Sequence, residues 1–139
     1  MRVSIDNIDG PEDLAEQAPV IADLIRQMPG PDRPDYWIAA LSSTVTVVFD
    51  NHDQDVTHLI LAAWWQGTEI GTGMKHIPVA IAYVTDISVL NDQQLSFSKC
   101  RYVALGTASD ISGDRSIEKL TRVMAGHIRG AFGVGRKLT

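Results

Sequence analysis

The chain has 139 residues, of which 45% are hydrophobic and 21% charged, with a formal net charge of −5 and a pI near 5.2. That length supports one domain over residues 1–139, and the composition excludes disordered, collagen-like and coiled-coil classes. Its longest apolar run, Leu59 to Trp65, falls far short of the ~20 residues that a membrane-spanning helix needs.

The first residues, MRVSIDNIDG, hold no apolar core of signal-peptide length, and the lone Cys100 cannot form an internal disulfide. Both features fit a reducing, cytoplasmic setting. Charge is uneven along the chain. Residues 1–58 carry eleven acids against three bases, and residues 59–139 carry six against nine. The acidic half disfavours a phosphate backbone as partner, because nucleic-acid binding needs cations that displace counterions. It suits a protein with a basic surface, since clustered surface charge speeds association.

The first predicted element is a helix over residues 11–28, kinked or split at Pro19. Pro11 suits the first helical position, the acids that follow suit the positive helix end, and Leu14, Ala18, Ile21, Ile25 and Met28 recur on one helical face. MPGPDRPD (28–35) reads as a loop. Residues 36–41 are ambiguous between strand and helical turn. TVTVVF (44–49) alternates as a strand, DNHDQD (50–55) reads as a polar hairpin tip, and THLILAAWW (57–65) is the return strand.

A glycine-rich loop (66–76) leads to the strand IPVAIAYVT (77–85), whose Pro78 belongs near a strand start or an edge. Residues 87–98 are irregular with one helical turn near Asp92–Leu95, and CRYVALG (100–106) is a further strand ended by Gly106. The last element is a helix starting at Ser112 or Asp114 and fraying after about residue 130, with Ile117, Leu120, Thr121, Met124, Ile128, Ala131 and Phe132 at helical spacing. Arg115, Lys119, Arg122 and Arg129 form a basic stripe on its opposite face. The expected fold is therefore α+β: an antiparallel meander of four to five strands flanked by an N-terminal and a C-terminal helix.

One parity of the central strands is bulky (Leu59, Leu61, Trp65, Ile77, Val79, Ile81, Tyr83) and the other is apolar but small (Ala62, Ala80, Ala82). A half-wet sheet would place polar residues on its second face. Both faces are therefore expected to be covered, the second by the 28–35 and 66–76 loops or by another chain.

Motifs for catalysis are weak. Gly67, Gly71 and Gly73 have the wrong spacing for a P-loop or a dinucleotide fingerprint, and no Gly-x-Ser-x-Gly elbow exists. The four histidines lack zincin spacing, and the acidic 50–55 segment lacks the glycine and glutamate of an EF-hand, so no metal or cofactor is expected. Cys100 lies between Lys99 and Arg101, but strand neighbours point to the opposite face, and it reads as a small hydrophobe.

Two functional classes fit. The first is a non-catalytic acidic protein-binding domain, with the profile of bacterial immunity proteins, inhibitors and secretion chaperones. Asp50, Asp53 and Asp55 would attract a basic partner, and Trp37 and Trp64 would anchor it, since tryptophan is enriched among energetic anchors. The second is a small enzyme or ligand-binding domain with a pocket between sheet and helices under the 66–76 loop, where His58, Glu69, His76 and Asp86 supply polar groups. A self-associating subunit of a larger assembly is a further alternative.

Overall fold

The structure, a computed structural model, describes residues 1–65 and 67–112. Six strands account for most of it: β1 (Arg2–Asp6), β2 (Val20–Met28), β3 (Tyr36–Phe49), β4 (His52–Ala63), β5 (Ile77–Val84) and β6 (Cys100–Asp110). Each pairs antiparallel with the next, and β6 pairs back onto β1 through Val3↔Asp110 to Asp6↔Thr107. The result is a closed barrel, not a sheet flanked by helices. Helix among the described residues amounts to α1 (Glu12–Ala15) and two 3₁₀ turns, Ile87–Asn91 and Phe97–Lys99. The C-terminal helix expected from residue 112 or 114 lies outside the described residues. No helix among them is long and apolar enough to cross a membrane.

The N-terminal helix is the main correction. Residues 20–28, expected as its second half, form β2, where Val20, Ala22 and Leu24 point inward at a period of two. Ile25, assigned to the buried helical face, is 51% exposed. A bulge between Leu24 and Arg26 inserts Ile25 as an unpaired residue, which shifts the parity and returns Met28 to a buried outer position. That shift makes two-residue alternation resemble helical spacing. β1 supplies a further strand that completes the ring, with Val3 and Ile5 fully buried.

The other boundaries moved for local reasons. Asp50 and Asn51 both have positive φ, 51° and 67°, and Phe49 pairs with His52. A two-residue turn of this hand matches strand twist, so pairing resumes at His52 and residues 52–55 are strand rather than tip. β6 continues past Gly106 to Asp110. A Cβ on Gly106 would sit 3.0 Å from Ile81 Cδ1 and 3.1 Å from the Asp6 carbonyl, so this glycine marks close packing inside the barrel instead of a strand end.

Of the bulky parity, Leu59, Leu61, Val79, Ile81 and Tyr83 fill the barrel, all at most 1% exposed, while Trp65 and Ile77 are part-buried. Residues 67–76 plug one end with Ile70 and Met74. They are fastened by the Gly73 N–H to Asp110 Oδ2 (2.7 Å) and by the Asp110 N–H to the Met74 carbonyl (2.9 Å). At the other end α1 buries Leu14, and Asp13 Oδ2 accepts the Val48 N–H at 3.0 Å. Residues 85–99 form a strap across the outer wall. Its Val89 and Leu95 pack on Met28, Ile38 and Ile60, a second apolar cluster outside the barrel.

Candidate functional site

The small parity faces outward. Ala62 on β4 and Ala80 and Ala82 on β5 floor a groove of about 390 Å³ on the outer wall, within the size range of small-ligand sites. The strap supplies one wall through Leu95, Phe97 and the adjoining Cys100, and the 28–35 loop with Tyr36 supplies another. Tyr102 and Trp64 stand at the rim. Three large side chains here are open to solvent: Trp64 at 40%, Phe97 at 49% and Tyr102 at 59%. Exposed aromatics gathered on an apolar floor mark an interaction surface better than apolar residues scattered singly.

Hydrogen bonds hold the walls. The Leu95 N–H donates to the Pro29 carbonyl (2.7 Å), joining strap to loop, and Arg26 reaches the carbonyls of Leu90 (3.1 Å) and Asp92. Lys99 pairs with Asp92 at 2.7 Å. In the loop, Arg33 forks onto Asp35 (2.5 and 2.8 Å) and donates to the Ala63 carbonyl (2.8 Å), next to Trp64. Its guanidinium also lies 5.8 Å from the Tyr36 ring centroid. The Tyr36 hydroxyl donates to Asp32 Oδ1 (2.7 Å), and its ring meets Phe97 edge-to-face at 6.0 Å.

The tyrosine and cysteine side chains of the lining are shifted toward their neutral forms. Burial, then the hydrogen bond to Asp32, raises Tyr36 well above the ordinary tyrosine range. Burial, with a smaller contribution from Asp9, raises Tyr102, and burial raises the Cys100 thiol. Burial thus disfavours the thiolate of Cys100, the nucleophilic form. The charged lining side chains are Asp32 and Arg33, and the groove between them and Tyr102 is apolar.

The residues singled out in the sequence separate. Trp64 lines the groove. Trp37 sits instead at the plugged barrel mouth, in a smaller cavity of about 290 Å³ with Gln27, Asp35, Glu69 and Ile70. Asp53 and Asp55 are exposed at the start of β4 and Asp50 at the turn before it, so roughly 30 Å of strand lies between them and Trp64. Asp55 accepts a hydrogen bond from Thr46 Oγ1 at 2.9 Å.

The four polar candidates of the pocket reading are dispersed. His58 lies within β4, its Nδ1 2.8 Å from Thr57 Oγ1, and burial lowers its pKa. Glu69 is on the plug, and His76 ends that loop with its Nδ1 2.9 Å from Ser109 Oγ. Asp86 caps the first 3₁₀ turn through the Ser88 N–H, and hydrogen bonding from the Ser88 side chain and then its backbone lowers the Asp86 pKa. Among the described residues no three of His, Cys, Asp and Glu gather as a metal site.

Tyr36, Phe97 and Tyr102 were not singled out in the sequence. Tyr102 shares its nominal parity with Ala104, yet Ala82 pairs with Tyr102 and Ile81 with Ala104. The bulge at Val103 turns Tyr102 outward and Ala104 inward. No family model, curated protein or solved structure matches the chain.

Proposed function

We propose that the chain is a non-catalytic protein-binding domain whose outer groove beside Trp64 receives a row of apolar side chains from a basic partner segment. The observation that carries this reading is the alanine floor ringed by three exposed aromatic side chains. Aromatic anchors around a desolvated pocket supply most of the energy of protein recognition. An apolar row set in basic surroundings is the form that such a groove takes up, and the described residues hold fifteen acids against six bases. This is the profile of inhibitor, immunity and secretion-chaperone proteins. Asp50, Asp53 and Asp55 act in this reading at long range, through the field that steers a cation-rich partner, and not by contact in the groove. The cavity of about 290 Å³ beside the 66–76 loop is lined by one of the four polar candidates of the pocket reading, Glu69, while His58, His76 and Asp86 are not among its lining residues.

The test is titration of a synthetic amphipathic leucine–lysine helical peptide, read by Trp fluorescence and calorimetry. Trp64→Ala and Tyr102→Ala are expected to weaken binding about tenfold or more, a hot-spot effect, while Val48→Ala leaves it unchanged. Binding equally strong in Trp64→Ala and the native chain overturns the reading.

A further inference from the structure

We infer that the occupant of the groove is the chain's own C-terminal segment, residues 113–139, laid on it by its apolar row. This deepens the reading of the groove as a segment-binding site and rests on it. Charge is the first argument. Residues 1–112 carry fifteen acids and six bases, a net −9, whereas residues 113–139 carry Asp114 and Glu118 against six bases, a net +4. The chain divides into an acidic barrel and a basic tail.

Pattern is the second argument. Ile117, Leu120, Met124 and Ile128 recur at the spacing of one helical face, with the basic stripe opposite. An amphipathic helix laid in an apolar groove reads as anchors at this spacing.

Position is the third. The described chain ends at Ser112, whose Oγ accepts the Arg2 N–H at 2.8 Å. Thr107 pairs with Pro78, and the Pro78 carbonyl accepts the Trp64 N–H at 2.9 Å. Two strand spacings and five residues of rise therefore separate Ser112 from Trp64, roughly 20 Å. Residues 113–139 span that distance with chain to spare, even as a helix at ~1.5 Å per residue. Tethering then raises the local concentration to the order of millimolar, so a segment of weak intrinsic affinity fills the groove. An external partner must displace it.

Cys100 is the single cysteine and is part-buried, so it is replaced by Ser, and Ser98→Cys, exposed beside the groove residue Phe97, is the probe. In the full chain, Thr121→Cys places a second thiol on the apolar row, and Lys119→Cys places one on the basic stripe. A short bismaleimide is expected to join Cys at 98 to Cys at 121 within one chain, several-fold more than to Cys at 119. Equal yields at the two positions, or no product, overturn the inference. A product linking two chains assigns the groove to a second copy and likewise overturns it.

The leucine–lysine peptide separates the two proposals. With the apolar row broken by Leu120→Ser and Met124→Ser, which leave the net charge unchanged, the peptide is expected to bind about tenfold more tightly than to the native chain, because the competing occupant is gone. Peptide binding that depends on Trp64 but is equal in both chains keeps the groove and removes the tail. Absence of peptide binding in both chains removes both proposals. A tail that instead binds phosphatidylglycerol vesicles and gives no cross-link belongs to a lipid surface, which also overturns the inference.

Discussion

Gly30 lies directly against the ring of Tyr36: a Cβ at Gly30 would fall 2.4 Å from Tyr36 Cε2 and 2.6 Å from Cδ2. That contact sets the ring between Asp32, which its hydroxyl reaches, and Phe97, which its edge meets. One wall of the groove thus depends on a missing side chain in a neighbouring loop.

Gly30→Ala is therefore expected to push the Tyr36 ring from its place and to cost about 1–3 kcal/mol, the range for overpacking. Thermal melting measures the loss of stability. Peptide titration is expected to show weaker binding, with Tyr36→Phe intermediate because it keeps the ring and loses only the bond to Asp32.

Filling the groove separates binding from folding. Ala80 faces the groove and is only part-buried, so Ala80→Leu occupies the floor without entering the barrel. Peptide binding should fall at least about tenfold while the melting temperature changes little, as for surface substitutions generally. Leu61→Ala is the opposite case. Leu61 is fully buried inside the barrel, and its truncation should cost about 2–5 kcal/mol in denaturant unfolding.

Acid should loosen the loop wall before the barrel. Hydrogen bonding from Arg33 holds the Asp35 carboxyl below the usual carboxylate range, against an opposing effect of burial. A carboxylate with a depressed folded pKa contributes stability that is complete above its unfolded value, about 3.9, and is lost as pH falls through the folded value. The 28–35 loop is expected to stay docked down to about pH 4 and to release below it. Trp fluorescence should report this step while far-UV dichroism stays constant, and Asp35→Asn should remove it. A fluorescence trace unchanged by Asp35→Asn would assign the step to another group.

The distant aspartates should act on rate. Asp53→Lys with Asp55→Lys is expected to slow association with the basic peptide and flatten its salt dependence, leaving dissociation nearly unchanged, since charges remote from the contact act by steering. Stopped-flow fluorescence at two ionic strengths checks this. At the turn before them, Asn51→Gly is expected to raise stability by a few tenths to ~1 kcal/mol, because glycine adopts the positive φ of this two-residue turn without steric cost.

The sequence by itself determined the middle of the molecule. The strand patterns read over residues 44–49, 57–65 and 77–85, together with short connections, specify antiparallel neighbours. The contrast between Leu59/Leu61/Ile81 and Ala62/Ala80/Ala82 specifies which face holds the core. The outward side of Trp64 also follows from its parity with Ala62.

Closure and the assembled site were decided only by tertiary structure. β2 reads as helix because the bulge at Ile25 breaks its alternation, and bulges are set by pairing with a partner strand that local sequence does not contain. The bulge at Val103 likewise turns Tyr102 into the groove. β1 is five residues long, too short to declare itself until β2 and β6 both pair with it. The groove draws its lining from a loop before β3, from β4 and β5, and from a strap before β6, which come together only because the barrel closes. Periodicity records how each residue faces its own strand; the partners of that strand record where the faces meet.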